Sequence, residues 1–276
     1  MLNRLSRECY SDPEQLYHLL HRRGMNLVTI TDHDSVEGAA RLLQYPDVFL
    51  SEEVTCRMPA GTTIHVGVYD ITERQHAQIQ RRRDDLVALL IYLTERRIFF
   101  SINHVFSSLT GPRSREDFAW FENYFPAVET LNGQLLAGLN SRADHLARLW
   151  RKPAVGGSDA HTPASAASAY TQVPGARSKE EFFAGLRAGR SRVGGRSGSY
   201  ATLTREVLLL ASRAVRERTW KAILVPLMFA IPAVTLVNYG REVAFGHLWA
   251  SRAVKEYKER QRPFRIAAPS IMGEEA

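Results

Sequence analysis

Residues 26–35 read Asn-Leu-Val-Thr-Ile-Thr-Asp-His-Asp-Ser, and residues 153–161 read Pro-Ala-Val-Gly-Gly-Ser-Asp-Ala-His. In each stretch, a short run of apolar or small residues that is typical of a buried strand is followed by an aspartate and a histidine. A strand end delivers polar side chains to the mouth of an α/β fold, where metal sites are commonly built. The two stretches therefore predict an α/β fold with polar side chains gathered at one end of its strands.

Strand and helix patterns alternate between residues 11 and 196. Short apolar or alternating runs predict strands at Met25–Ile30, Thr63–Tyr69, Ile98–Ile102, Ala127–Leu131 and Pro153–Gly157. A capping sequence at Ser11–Glu14 opens the first helix, and amphipathic runs predict further helices at Val36–Leu43, Glu73–Arg96, Ser114–Tyr124, Ser141–Trp150 and Lys179–Ala188. Alternation of this kind indicates βαβ units and a parallel sheet or barrel.

The pattern changes at Gly194–Ser199, where a cluster of glycine and serine predicts a loop or a boundary. Beyond this cluster only helices are predicted, over Thr202–Arg218 and Val243–Glu259. We therefore expect a barrel-like domain over residues 1–198 and a helical C-terminal extension over residues 199–276.

The extension is also the basic part of the chain. The net charge is +7, and residues 201–276 hold 12 positive and 7 negative side chains, against 24 and 22 in residues 1–200. Such a segment can bind nucleic acid or an anionic membrane, or it can be an ordinary solvated surface. Nucleic acid is the least favoured partner, because the segment lacks interleaved aromatic residues for base stacking. A content of 45% hydrophobic and 24% charged residues excludes a disordered chain.

Two features bear on where the protein resides. The two cysteines, Cys9 and Cys56, provide neither a disulfide framework nor a zinc-knuckle spacing, so the cytoplasm is the expected compartment. The uncharged run Ala222–Val237 contains two prolines and is shorter than the roughly 20 residues that a spanning helix needs. This run is either a membrane-inserted segment or a helical hairpin that is buried or faces a partner. The oligomeric state is left open.

Six side chains of metal-ligand type lie near predicted strand ends, namely His33, Glu53, His65, His104, Asp159 and His161. A hydrolytic divalent metal needs imidazoles and carboxylates held in a fixed arrangement with an open position. Taken singly, each has a structural alternative: His65 can be a core histidine, and Asp32 can cap the following helix. The other histidines fall on predicted helices or in the basic extension and are interpreted as structural or solvated.

These residues form an ordered set of motifs, namely Thr31-Asp32-His33-Asp34, Glu53-Val54-Thr55, His65, Asn103-His104, Glu129-Thr130-Leu131-Asn132-Gly133 and Gly157-Ser158-Asp159-Ala160-His161. Over residues 11–196 the set resembles the polymerase and histidinol phosphatase (PHP) superfamily of metal-dependent phosphoesterases. The resemblance implies an α/β fold of the distorted (β/α)7, TIM-like barrel type, with up to three ions of zinc, manganese or iron.

The resemblance also implies roles for the candidate ligands. Glu53 would bridge two metals, and His65 and His104 would complete the shell of the second. Asp159 would serve the first metal, while His33 and His161 would serve the third. Asp32 would orient the ligands without binding a metal itself.

The chain departs from the family at its N-terminus. The family opens with a strand that carries a His-x-His motif, whereas residues 1–10 contain no histidine. We therefore expect a truncated barrel that lacks its first strand and some metal ligands.

The expected activity is hydrolysis of a phosphomonoester or phosphodiester by metal-activated water, impaired in this truncated chain. The substrate would be a phosphorylated small molecule or a nucleotide. Arg113 is expected to hold a phosphate oxygen, and Asn132 to contact the substrate. The alternative is a non-catalytic scaffold or a membrane-associated binding module, with the membrane surface reached through residues 222–237.

Overall fold

The computed structural model describes residues 11–217 and 225–261. Its strands are β1 (Leu50–Arg57), β2 (Thr63–Ile71), β3 (Phe99–Ile102), β4 (Val128–Asn132), β5 (Ala154–Gly157), β6 (Ala169–Gln172) and β7 (Arg192–Gly195). Its helices are α1 (Pro13–Arg22), α2 (Glu37–Ala40), α3 (Glu73–Gln80), α4 (Leu86–Glu95), α5 (Arg115–Tyr124), α6 (Ala137–Leu149), α7 (Lys179–Arg187), α8 (Tyr200–Glu217), α9 (Val225–Met228) and α10 (Ile231–Arg260). The expectation of a missing first strand concerns residues 1–10, which lie outside these ranges.

The main sheet contains β1 to β5 in sequence order. β2 pairs antiparallel with both β1 and β3, whereas β3, β4 and β5 are parallel. In the described ranges this sheet is open, because β1 and β5 lie at opposite edges. The α/β class is confirmed, but the described residues do not show the expected distorted (β/α)7, TIM-like barrel. The turn at Gly61, with φ of +86°, joins β1 to β2, and a connection this short permits only antiparallel pairing.

The segment predicted as the strand Met25–Ile30 runs beside β1 without becoming a regular strand. Two isolated parallel bridges join this region to the β1 side, one from Val28 to Val48 and one from His33 to Glu53. The bridge at His33 involves Glu53, whose amide donates a hydrogen bond to the Asp32 carbonyl at 3.1 Å. The strand prediction is wrong in detail, yet this bridge fixes His33 beside the centre of β1.

The predicted helix Glu73–Arg96 is two helices, because each has its own N-cap. Thr72 forms a capping box with Gln75 at the start of α3. The Asp85 carboxylate accepts a hydrogen bond from the Ala88 amide at 3.1 Å at the start of α4. An N-cap residue has an extended backbone, as Asp85 has with φ of −123° and ψ of 95°, so the preceding helix must end before it.

β6 and β7 form a two-stranded antiparallel sheet that was not predicted. Gly194 and Gly195 belong to the predicted loop Gly194–Ser199, yet both lie in β7. The backbone of Gly195 has φ of +116°, and a Cβ there would lie 2.2 Å from the Ser168 carbonyl oxygen. Glycine is required for this close approach, and it leaves no hydrophobic alternation from which a strand could be recognised.

Helices α8 and α10 pack against the α/β part of the chain. Trp249 of α10 stacks on Phe118 of α5, with ring centroids 5.8 Å apart, and the Tyr257 hydroxyl donates to the Leu149 carbonyl at 2.9 Å. Helices were predicted in this region, but α10 begins at Ile231 rather than Val243. The division into two domains at residue 198 stays a prediction.

Part of the uncharged run Ala222–Val237 lies outside the described residues, and the remainder forms α9 and the start of α10. This remainder is exposed: the accessible fractions are 65% for Leu227, 86% for Phe229 and 62% for Val237. None of the helices in the described ranges is long and apolar enough to cross a bilayer.

The N-cap of α4 generates a stability prediction. Replacing Asp85 with alanine removes the acceptor for the Ala88 amide, so the free energy of unfolding should fall by about 1 kcal/mol. Urea denaturation followed by circular dichroism measures this change. Asp84→Ala is the matched control, because Asp84 is exposed and precedes the cap. Equal effects of the two substitutions would contradict the assigned capping role.

Candidate metal centre

Three strands and one bridging segment bring a carboxylate and three imidazoles together. Glu53 and His65 project from β1 and β2, His104 lies two residues beyond β3, and His33 bridges to Glu53. Glu53 and His65 therefore lie within antiparallel strands, rather than at strand ends as predicted. The His65 ring lies 4.7 Å from the His33 ring and 4.8 Å from the His104 ring, measured between centroids.

The Glu53 carboxylate divides its oxygens between two groups of side chains. Oε2 lies 3.5 Å from His33 Nε2 and 3.8 Å from His65 Nδ1. Oε1 lies 3.1 Å from His104 Nε2 and accepts a hydrogen bond from Asn103 Nδ2 at 2.7 Å. His65 Nδ1 is also 3.1 Å from His104 Nε2. This carboxylate is thus the common neighbour of all three histidines.

The donor set fits a divalent cation. One ligand atom from each of His33, Glu53 and His65 lies within 4.8 Å of the others. Buried Nδ1 atoms of His33 and His104 have no hydrogen-bond partner among the described residues, although buried polar atoms normally have one. Imidazole and carboxylate are ligands that zinc and other hydrolytic metals accept. His104 adjoins this three-residue set, with its Nε2 atom 3.1 Å from both Glu53 Oε1 and His65 Nδ1.

A second group of polar side chains continues from His104 toward β5. The His104 amide donates to Glu129 Oε2 at 2.8 Å. Asn132 Nδ2 donates to both oxygens of Glu129 at 3.2 Å and to Asp159 Oδ2 at 3.1 Å. His161 Nδ1 lies 3.8 Å from Asp159 Oδ1. Asp159 and His161 therefore connect to the Glu53 cluster through Glu129 and Asn132.

Burial and charge determine the protonation of the cluster. Burial lowers the pKa of His65 to about 4, and the neighbouring His104 acts in the same direction. Burial disfavours the charged form of His104, but the adjacent Glu53 carboxylate outweighs it and raises the pKa of His104 to about 9. Burial likewise acts to raise the pKa of Glu53, yet His104, His65 and His33 together hold it well below its ordinary value. These shifts favour an ionised Glu53 paired with a protonated His104, beside a neutral His65, at neutral pH.

Burial also raises the pKa of Glu129 to about 7, because its carboxylate is enclosed near the negative charges of Asp159 and Glu53. Glu129 and Asn103 were not among the predicted site residues. Both belong to the quoted motifs. Asn103 directly follows a predicted strand and Glu129 is a charged residue inside one, and these were the signals that could have identified them.

Three of the seven non-glycine residues with positive φ in the described ranges belong to this site. The non-glycine residues His104, Asp159 and Asp34 have positive φ values of 29°, 46° and 55°. Such conformations are uncommon outside glycine and persist where the surrounding structure enforces them. The loops after β3 and β5 therefore hold His104 and Asp159 in imposed positions.

The cluster opens into a cleft of about 1800 Å³. Predicted ligands that line the cleft are His33, Glu53, His65, Asp159 and His161, together with Asp32 and Asn132. Asp32 is partly buried, and burial raises the pKa of its carboxyl group. Its Oδ2 would lie 2.4 Å from a Cβ at Gly38, so glycine at that position leaves room for it.

Two expected roles need correction. Arg113 is buried away from the cleft, and its guanidinium donates to the carbonyls of Val105 and Thr63 and to Thr110 Oγ1. It therefore holds a loop rather than a phosphate. The amide of Asn132 is 1% exposed and is occupied by two carboxylates, which suits a positioning residue better than a substrate contact.

Comparison with known proteins gives one family match and several structural neighbours. The model of the PHP-associated family matches residues 138–191, a region that includes β5 and the Gly157–His161 motif. No curated protein sequence matches this chain.

The structural neighbours include PsfC from Pseudomonas syringae, with a TM-score of 0.52 and 14% identity over 74% of this chain and 89% of PsfC. A candidate metal-dependent phosphoesterase from Bifidobacterium adolescentis has a TM-score of 0.40 and 13% identity, over 56% of this chain and 84% of its own. The lesion-specific endonuclease PfuEndoQ from Pyrococcus furiosus has a TM-score of 0.44 and 15% identity, over 64% of this chain and 52% of its own. At these identities, the likeness to PsfC indicates a similar fold.

The pKa of His104 generates a prediction for the metal-free protein. A histidine whose pKa rises from 6.5 to about 9 on folding stabilises the fold fully below pH 6.5, and this contribution is lost as the pH rises toward 9. In the presence of EDTA, the melting temperature of the wild type should therefore fall over this interval relative to that of His104→Gln. Differential scanning fluorimetry measures both. A constant difference between the two proteins across the interval would disprove the Glu53–His104 ion pair.

Proposed function

We propose that this chain is a member of the PHP superfamily and a metal-dependent hydrolase of phosphoester bonds. The observation that carries the proposal is the convergence of three histidines on the Glu53 carboxylate at the wall of an open cleft. Neutral imidazole and ionised carboxylate are the donor states that a divalent cation requires. The low pKa of His65 and the depressed pKa of Glu53 supply both states at neutral pH.

His33, Glu53 and His65 would hold one cation, with His104 on the opposite oxygen of Glu53. A divalent cation in this position supplies a Lewis acid that polarises phosphoryl oxygens and activates water. The protein orients Glu53 through the Asn103 amide, whose hydrogen bond to Oε1 leaves Oε2 facing His33 and His65. Outer partners of this kind typically contribute about 10–100-fold to metal affinity or activity.

A phosphorylated small molecule or a nucleotide is the proposed substrate class. The cleft of about 1800 Å³ exceeds the roughly 300–1,000 Å³ of most small-molecule pockets, so it has room for either. Arg41 and Arg177 line the cleft and are the proposed contacts for phosphate oxygens in place of Arg113. We propose slow turnover, because one three-donor set, rather than three, assembles within the described residues.

Activity and metal binding should fail together when Glu53 is changed. We expect hydrolysis of p-nitrophenyl phosphate or bis(p-nitrophenyl) phosphate in the presence of Mn²⁺ or Zn²⁺. Loss of a residue that only orients a metal ligand typically costs up to about 100-fold in metal affinity or activity. Because Glu53 would itself be a ligand, Glu53→Gln should reduce metal affinity and kcat/KM by more than this. Metal content by mass spectrometry and initial rates are the measurements.

His145→Gln is the matched control, because His145 is an exposed histidine on α6. A wild-type protein that binds neither ion would overturn the proposal. So would a Glu53→Gln variant that retains wild-type metal content and rate.

A second candidate function is attachment to an anionic membrane surface through α9 and the start of α10. Leu227, Phe229 and Val237 are largely exposed there, and no charged residue occurs between positions 222 and 240. Residues 201–276 carry a net charge of +5, which complements anionic lipid. An exposed apolar patch beside basic residues suits a membrane interface, into which the apolar side chains insert while the cations meet the headgroups.

Vesicle binding tests this second function. The wild type should sediment with vesicles of phosphatidylcholine and phosphatidylserine, and Phe229→Asp should weaken the binding about tenfold or more, because an inserted phenyl ring is worth roughly 1.5–3 kcal/mol. Leu109→Asp is the control, since Leu109 is 78% exposed on a different loop. Equal binding of all three proteins, or binding of none, would count against membrane attachment.

A further inference from the structure

Two buried glutamates of the C-terminal helices reach into the loops that carry candidate metal ligands. Glu242 of α10 and Glu206 of α8 are each only 7% exposed. A buried carboxylate is costly unless hydrogen bonds satisfy it, so its partners identify what it holds. These partners lie in the loop after β3 for Glu242 and in the loop after β5 for Glu206.

Glu242 holds the loop that begins with His104. Its Oε1 accepts hydrogen bonds from the Ser108 amide at 2.8 Å and from the Ser108 hydroxyl. The preceding residue, Ser107, donates its amide to the His104 carbonyl at 2.9 Å. The carboxylate of α10 is therefore two hydrogen bonds away from the strained backbone of His104.

Glu206 holds the loop that contains Asp159 and His161. Its Oε2 accepts hydrogen bonds from Thr162 Oγ1 at 2.6 Å and from Ser165 Oγ at 3.2 Å. Thr162 directly follows His161 and is 1% exposed. Charge-assisted hydrogen bonds of this type are stronger than neutral ones, so the loop is anchored at the residue next to a candidate ligand.

Close packing fixes the positions of α8 and α10 relative to the two loops. A Cβ at Gly246 of α10 would lie 2.1 Å from the Leu139 side chain and 3.6 Å from the Phe106 carbonyl, so glycine permits this close approach. Helices α8 and α10 are joined to each other by the hydrogen bond from Thr204 Oγ1 to Thr235 Oγ1 at 3.0 Å. The pair of helices thus acts on both loops as one unit.

We propose that Glu242 and Glu206 are positioning residues, through which the C-terminal helices brace the two loops of the metal centre. The part of this inference that concerns metal binding rests on the proposed function. The part that concerns loop order is a property of the metal-free protein and is tested separately.

Hydrogen exchange followed by mass spectrometry tests loop order without metal. Glu242→Ala should speed exchange in peptides that cover residues 104–112, including the Ser108 amide, and leave residues 158–168 unchanged. Glu206→Ala should do the reverse, so each variant is the control for the other. Glu259→Ala should change neither loop, because Glu259 pairs with Lys255 within α10.

Conservative variants separate positioning from general destabilisation. Glu242→Gln retains a carbonyl oxygen for the Ser108 amide and should restore slow exchange at that loop. Ser108→Ala should have no additional effect on metal affinity in the Glu242→Ala background, because both changes break the same contact. We expect each alanine variant to bind Mn²⁺ or Zn²⁺ more weakly, by up to about tenfold, with kcat affected less than metal affinity.

If neither Glu242→Ala nor Glu206→Ala changes hydrogen exchange in the two loops, the proposed positioning role of these glutamates is overturned, whatever the metal affinities are. Loosened loops with unaltered metal affinity would overturn the role of the brace in metal binding and leave the proposed function standing. A wild-type protein that binds no metal would overturn the proposed function, while local loosening of the loops would still support the structural brace.

Discussion

The Glu53 carboxylate is the group on which the arrangement of this molecule depends. It is nearly buried, and the cost of burying its charge is offset by His104, His65, His33 and the Asn103 amide. These partners come from different stretches of the chain, so the carboxylate is satisfied only when β1, β2, β3 and the segment before α2 are all in place. The electrostatics of one side chain therefore fix the mutual positions of these elements.

The convergence of ligands could be foreseen from sequence, because polar residues that follow or interrupt strands must share an edge of the sheet. His104 and Asp159 follow this rule, two residues beyond β3 and β5. Glu53 and His65 were predicted as metal ligands near strand ends. The structure brings them to the cluster, but they project from within antiparallel strands. The hairpin that places them there depends on a turn at Gly61, which βαβ alternation does not describe.

Other features could not be predicted, because they depend on partners that are distant in the sequence. Arg113 is indistinguishable from a surface arginine until its hydrogen bond to the Thr63 carbonyl, 50 positions away, is known. Asp85 lies in a run of charged residues where a helix interior and a helix cap have the same composition. The strand at Gly194 and Gly195 forms by backbone pairing alone, without a side-chain pattern to indicate it.

The ring of Phe118 lies between those of Phe106 and Trp249, at centroid distances of 5.9 and 5.8 Å. One of its neighbours follows β3 and the other belongs to α10, so the stack crosses the border at which a second domain was expected to begin. Separating α10 from the rest of the protein would expose the facing rings of Phe118 and Trp249 to water. Heating or denaturant should therefore melt both portions in a single cooperative step, and the C-terminal helices should behave as a structural wall of the α/β body rather than as an independent appendage.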